Sequence, residues 1–139
     1  MSDEKMIVAD WQGGKTFLGH NESGGRVKMG TLADGSDVSP MELLLLGLAG
    51  CTGIDVAMIL EKKRQELDDF RLVVRGKRSD EHPRVYTHIE IEYLLRGQDL
   101  SEKAVQKAIE LSEEKYCSAS AMLGERAEIT STYRILTPG

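Results

Sequence analysis

Two cysteines carry the reactive chemistry of this chain. Cys51 lies within its most apolar run, Met41 to Leu60, flanked by the small residues Gly50, Thr52 and Gly53. Cys117 lies far along the chain, in Lys115-Tyr116-Cys117-Ser118-Ala119-Ser120. Two isolated thiols, each at or near a predicted helix, point to a nucleophile and a resolving partner. The paired C-x-x-C spacing of zinc sites does not occur. The reactive form is the thiolate, and a thiol of ordinary pKa, about 8.5, is pushed up by apolar burial. Cys51 is placed mid-helix, where the positive helix end helps little, so a nearby Arg or Lys must stabilise the anion. Given that, the sulfur can rise to a sulfenic acid that a second thiol captures. The plain alternative is two small buried hydrophobes. A direct bond needs Cα atoms within about 7 Å, a distance that sequence spacing leaves open.

Asp55 stands one turn beyond Cys51 on the same helical face. A bare carboxylate there would raise the thiol pKa. It must therefore be paired with a cation, be protonated, or turn to a polar edge. His20, His82 and His88 form no metal-ligand spacing. Tyr116, Met58 and Met122 suit a core or the lining of an apolar pocket.

The elements that must position these groups follow from turn and capping signals. Strands are predicted from Lys5 to Trp11, Thr16 to His20 and Arg26 to Gly30, joined by Gly13-Gly14 and by Glu22-Ser23-Gly24-Gly25. Residues 31–38 form a loop. Ser39-Pro40-Met41-Glu42 then opens a helix running to about Gln65, with Ser39 as N-cap, Pro40 first and Glu42 closing a capping box. Gly47, Gly50 and Gly53 each weaken it by about 1 kcal/mol, which suggests close backbone approach by a neighbour.

Strands follow at Phe70 to Lys77 and Arg84 to Leu95. The second has Val85, Thr87, Ile89, Ile91 and Tyr93 on one face. Asp99-Leu100-Ser101-Glu102 is a second capping box, opening an amphipathic helix to about Lys115 that buries Ala104, Val105, Ala108, Ile109 and Ser112. A short helix from Ser118 to Leu123 ends at Gly124, and Ala127 to Leu136 is the last strand. The order is βββ-α-ββ-αα-β, an α+β domain spanning residues 1–139.

Composition narrows the function classes. With 18 basic against 23 acidic residues, a net charge of −5 and no concentrated basic face, nucleic acid is not the expected partner. Lys62-Lys63-Arg64 reads as a solvated helix end. Met1-Ser2-Asp3-Glu4-Lys5 contains no apolar signal core, so the expected location is the cytoplasm, where a bond between the cysteines would be transient. The run Met41 to Leu60 is long enough to test as a membrane span. Glu42, Asp55 and three glycines argue against that. A helix apolar all round must then be buried in protein. A chain of 139 residues covers such a helix poorly alone, so an obligate homodimer is expected.

The order of elements, with Ser39-Pro40-Met41-Glu42-Leu43-Leu44 through Ala49-Gly50-Cys51-Thr52 and with Glu114-Lys115-Tyr116-Cys117-Ser118, resembles the OsmC/Ohr superfamily of osmotically inducible and organic hydroperoxide resistance proteins. The resemblance spans nearly the whole chain. It implies an intertwined homodimer around long central apolar helices, with sites at the subunit boundary; no haem, flavin or metal is implied. It implies that Cys51 attacks an organic hydroperoxide, that Cys117 resolves the sulfenic acid, and that a dithiol such as a lipoyl group restores both. It also calls for an Arg and a Glu near the reactive thiol.

Arg26 is the first candidate for the cation, with Lys28, Arg84 and Lys115 behind it. Glu42 is the candidate acid, displaced one position from the family's place directly after the Pro. At about 100° per residue, Glu42 and Cys51 fall on opposite helix faces, and the capping box accounts for Glu42. The expected function is thiol-dependent reduction of a small apolar peroxide. The rivals are a small-molecule-binding or stress-response dimer that uses the same interfacial pocket, and a protein whose cysteines merely pack.

Overall fold

Glycines with positive φ set the first sheet. The computed structural model describes residues 4–31 and 37–137, and the chain divides into two compact units between Leu44 and Leu45. In the first unit β1 (Ile7–Trp11), β2 (Thr16–Asn21) and β3 (Arg26–Gly30) form an antiparallel meander with β2 in the middle. Gly13 and Gly14 turn the chain at φ 96° and 57°, and Gly24 at 97°, angles that cost a side chain dearly. Asn21 Oδ1 accepts the amides of Ser23 and Gly25 at 3.1 and 2.7 Å, which fixes the second turn. The strand predicted from Lys5 begins at Ile7. Most of the predicted loop at 31–38 lies outside the described residues.

Helix α1 (Pro40–Lys62) opens with a reciprocal capping box. The Ser39 amide donates to Glu42 Oε1 at 2.9 Å, and the Glu42 amide donates to Ser39 Oγ at 3.1 Å. The helix is long and apolar enough to cross a membrane by length and composition alone. Its buried residues are nevertheless confined to one stripe, Leu48, Thr52, Val56 and Leu60, as in a core helix packed on one side. Leu46, Ile54 and Met58, off this stripe, are exposed in the single chain. The expected close approach occurs only at Gly53 of the three glycines. A Cβ there would lie 3.2 Å from Leu72 Cδ1, whereas nothing described lies within 4 Å at Gly47 or Gly50.

The second unit is built on β4 (Glu66–Arg78), β5 (Tyr86–Gln98) and β6 (Glu128–Ile135), with β5 central, antiparallel to β4 and parallel to β6. A parallel neighbour requires a crossover. Here it is α2 (Glu102–Leu111), a π turn (Ser112–Tyr116) and α3 (Ser118–Leu123). Ile89, Ile91, Tyr93 and Leu95 face the core, as the alternation predicts. The face does not continue to Thr87 and Val85. A register shift between Lys77↔His88 and Arg78↔Tyr86 inserts one residue, so Tyr86 turns inward and is buried, as an extra residue in one strand requires.

Two caps differ from prediction. Asp99, at φ 50°, precedes α2; Ser101 is the N-cap and accepts the Ala104 amide at 3.2 Å. Gly124 ends α3 at φ −67°, a right-handed conformation. Its smallness serves contact instead, since a Cβ would lie 2.7 Å from Ser120 O.

Candidate functional site

The helix predicted to reach Lys115 changes at Ser112. The Cys117 amide donates to the Ser112 carbonyl at 2.7 Å, five residues back. Such a π turn widens the helix by one residue and occurs often at functional sites. It brings Ser112, Glu113 and Cys117 to bear on α1 and β5. Cys117 then caps α3, its Sγ accepting the Ser120 amide at 3.4 Å.

The sulfurs of Cys51 and Cys117 and a carboxylate oxygen of Asp55 lie within 4.8 Å of one another. Both thiols are free, Cys51 half-buried and Cys117 buried. Burial is the main cause pushing the Cys117 thiol up from its ordinary value; its bonds to Ser120 pull the other way, and the neighbouring Cys51 thiol adds to the rise. Cys117 is thus favoured as S–H. Structural zinc takes four N or S ligands as a rule, so two thiols and one carboxylate are a thin set for that metal.

A chain of hydroxyls leads away from Asp55. Ser112 Oγ donates to Asp55 Oδ2 at 3.0 Å and lies 2.8 Å from Thr52 Oγ1. Thr52 Oγ1 lies 2.9 Å from the Tyr93 hydroxyl, which meets Glu113 Oε2 at 2.5 Å. Ser131 Oγ donates to Glu113 Oε1 at 3.0 Å. Burial, and then the Glu113 carboxylate, push the Tyr93 phenol far above its ordinary value. Among the described residues no Lys or Arg stands at salt-bridge distance from Asp55.

Beside Asp55 opens a pocket of about 500 Å³ lined by Met58, Ile59, Leu111 and Tyr116, with Lys62 and Lys63 at its polar side. The sequence pattern of a known family matches residues 33–132; its description is OsmC-like protein. The chain belongs to the OsmC-like family. Protein YhfA of Escherichia coli strain K12 is 40% identical over 126 residues, covering 91% of this chain and 94% of YhfA. A crystal structure of a hypothetical protein from Aquifex aeolicus VF5 matches with a TM-score of 0.90 at 35% identity, over 99% of this chain and 100% of that one. The organic hydroperoxide resistance protein OhrB of Bacillus subtilis shares the fold, with a TM-score of 0.63 at 16% identity over 95% of this chain and 98% of its own.

In this OsmC-like chain, the structure brings Cys51, Cys117 and Asp55 together. Arg26 lies exposed on β3 of the first unit. Glu42 is engaged in the capping box, and the Ser39 amide, followed by the Ser39 hydroxyl, holds its carboxyl below the usual range. Lys28 lies 3.9 Å from Asp37, Arg84 donates to the Ser79 carbonyl, and the Lys115 ammonium lies 5.3 Å over the Tyr116 ring. Sequence reasoning missed the roles of Thr52, Tyr93, Ser112 and Glu113. The available signal was a hydroxyl at a stripe position of each of two apolar helix faces.

Proposed function

We propose that this protein reduces organic hydroperoxides, with Cys51 as the attacking and Cys117 as the resolving thiol. The observation that carries this reading is the pair of free sulfurs within 4.8 Å, one half-exposed and one buried. The Cys51 thiolate attacks the outer peroxide oxygen, an S–O bond forms, the O–O bond breaks, and the alkoxide leaves and takes a proton to become an alcohol. Cys117 then attacks the sulfenic sulfur, giving a disulfide and water. An external dithiol, such as a lipoyl group, exchanges with the disulfide and restores both thiols. A small apolar peroxide suits the pocket walls of Met58, Ile59, Leu111 and Tyr116.

Arg26 is the cation we assign to activation, following the family's requirement. Glu42 takes the role of helix cap. A homodimer is the working unit in this reading. Leu46, Ile54 and Met58 of α1 are 56%, 63% and 54% exposed, apolar surface that a second copy would cover. The cytoplasm is the compartment that keeps both thiols reduced between turnovers.

The engagement of Glu42 in the cap favours a second reading, a dimer that binds a small apolar ligand without turnover. Cumene hydroperoxide and dihydrolipoamide separate the two. The peroxidase consumes peroxide, loses this activity in Cys51→Ser, and yields a Cys51–Cys117 disulfide in mass spectra after one equivalent of peroxide. Unchanged peroxide, with Cys51 shielded from alkylation by an added apolar ligand, selects the binding reading.

A further inference from the structure

The hydroxyl chain contains more contacts than protons. Four oxygen–oxygen contacts join Asp55, Ser112, Thr52, Tyr93 and Glu113, at 3.0, 2.8, 2.9 and 2.5 Å. Each needs one hydrogen between its oxygens. Ser112, Thr52 and Tyr93 own one hydroxyl hydrogen each. With both carboxylates ionised, Ser112 donates to Asp55 and Tyr93 donates to Glu113. Thr52 is then left with two oxygen neighbours and one hydrogen. One contact in a buried site would set lone pairs face to face, and unmet polar contacts in such sites are costly.

A fourth hydrogen closes the chain, and only the two terminal carboxyls can hold it. With it on Asp55, every hydroxyl donates toward Glu113; with it on Glu113, every hydroxyl donates toward Asp55. Moving from one state to the other requires only that each hydrogen hop once along its contact. Glu113 already accepts from Ser131 at its other oxygen, so the Asp55 end is the better holder. Cys51 and Cys117 face Asp55, Ser112 bonds it, and Lys62, Lys63 and Tyr116 share its pocket. Tyr93 and Ser131 face Glu113.

We propose that Asp55, Ser112, Thr52, Tyr93 and Glu113 form a relay holding one shared proton, which Asp55 takes from the Cys51 thiol and returns to the departing alkoxide. The second half rests on the peroxidase reading; the shared proton does not. The balance closes. The Cys51 S–H bond breaks and its proton joins the relay; the peroxide O–O bond breaks as the S–O bond forms; the proton leaves Asp55 for the alkoxide oxygen. Sulfur is oxidised and peroxide reduced, with no outside acid. Asp55 is a catalytic residue in this scheme, and Thr52 a positioning residue.

Thr52→Val tests both halves on the full-length protein. Without the Thr52 hydroxyl, Ser112 and Tyr93 satisfy Asp55 and Glu113 with their own hydrogens, and the need for a fourth disappears. Infrared spectra at neutral pH should show one protonated carboxyl in the native protein, none in Thr52→Val, and its return in Thr52→Ser. A carboxyl signal unaltered by Thr52→Val, or absent from the native protein, overturns the shared proton.

The kinetic arm compares an alkyl hydroperoxide with a peroxy acid, whose carboxylate leaves without needing a proton. Thr52→Val should slow Cys51 oxidation by the first about a hundredfold more than by the second, in the range of lost general acid catalysis, since both need the Cys51 thiolate and only the first needs the returned proton. Equal slowing of both, or no oxidation of native Cys51 by either, overturns proton delivery while the infrared result still decides the relay. Should Thr52→Val fail to fold, Tyr93→Phe makes the same cut, since Ser112 then donates to Asp55 and Thr52 to Ser112; it should lose the carboxyl signal likewise, and keeping it overturns the relay.

Discussion

Cys117 Sγ lies within 4.8 Å of Cys51 Sγ, yet the two sulfurs are placed differently. Cys117 is 3% exposed and fixed at the head of α3 by the Ser120 amide. Cys51 is half-buried on α1. A peroxide therefore meets Cys51 first. In Cys117→Ser the first oxidation should proceed at close to the native rate, and Cys51 should stop as a sulfenic acid, trapped by dimedone and seen as the gain of one oxygen. With excess peroxide it should climb to the sulfinic acid. Cys51→Ser should leave Cys117 reduced under the same exposure. Oxidation of Cys117 in that variant, at a rate matching native Cys51, would reverse the assignment.

Glu42 tests whether the cap exhausts the role of this side chain. A Gln in its place can still accept the Ser39 amide, so Glu42→Gln should retain both helix and peroxide consumption. Ser39→Ala removes the other half of the box and should cost about 1 kcal/mol. Ser39 holds the Glu42 carboxyl low. Its contribution is present above the ordinary carboxylate range and lost as pH falls through the lowered value. Urea unfolding over a pH series should show this acid-side loss in the native protein and a smaller one in Glu42→Gln. A Glu42→Gln protein of native stability that consumes no peroxide would instead make the carboxylate part of the chemistry.

Capping residues and strand alternation made much of the fold legible. Ser39 and Glu42 marked the start of α1 because both halves of the box are local, and Ile89, Ile91 and Tyr93 marked the inner face of β5 by alternation alone. Three features depended on distant partners. The π turn closes through Cys117 and Ser112, where local periodicity predicts plain α-helix. The inward turn of Tyr86 depends on a register shift against β4. The meeting of Cys51 with Cys117, and of Thr52 with Ser112 across 60 residues, is a matter of tertiary packing. In sequence those two hydroxyls look like small fillers of apolar stripes.

Alkaline pH should weaken the fold through Tyr93 and Cys117. Burial first, with Glu113 for Tyr93 and Cys51 for Cys117, raises both above their ordinary values. The folded protein thus holds protons that the unfolded chain releases, and stability falls where the unfolded groups ionise, above about pH 8.5 for a thiol and 10 for a phenol. The contribution is fully present below those values and lost progressively as pH rises toward the folded ones. Thermal unfolding should show a falling midpoint from about pH 9 upward. Tyr93→Phe should flatten the part above pH 10, and Cys117→Ser the part nearer 9. A native midpoint that stays level across this range would contradict the burial of both groups.

The far side of α1 provides the test of the homodimer. Leu46, Gly50, Ile54 and Met58 repeat every four residues and are all exposed, two positions out of step with the buried stripe of Leu48, Thr52, Val56 and Leu60. Gly50, with nothing described within 4 Å, leaves a notch in an apolar ridge, where a second helix can approach closely. In a lone chain a larger residue there meets open space, and replacing Gly by a good helix former should stabilise α1 by about 1 kcal/mol. In a dimer seated on this stripe the same side chain collides with the partner. Sedimentation should find the native protein dimeric and Gly50→Leu monomeric, with lower overall stability. A native monomer, made more stable by Gly50→Leu, would remove the second copy from the account of this helix.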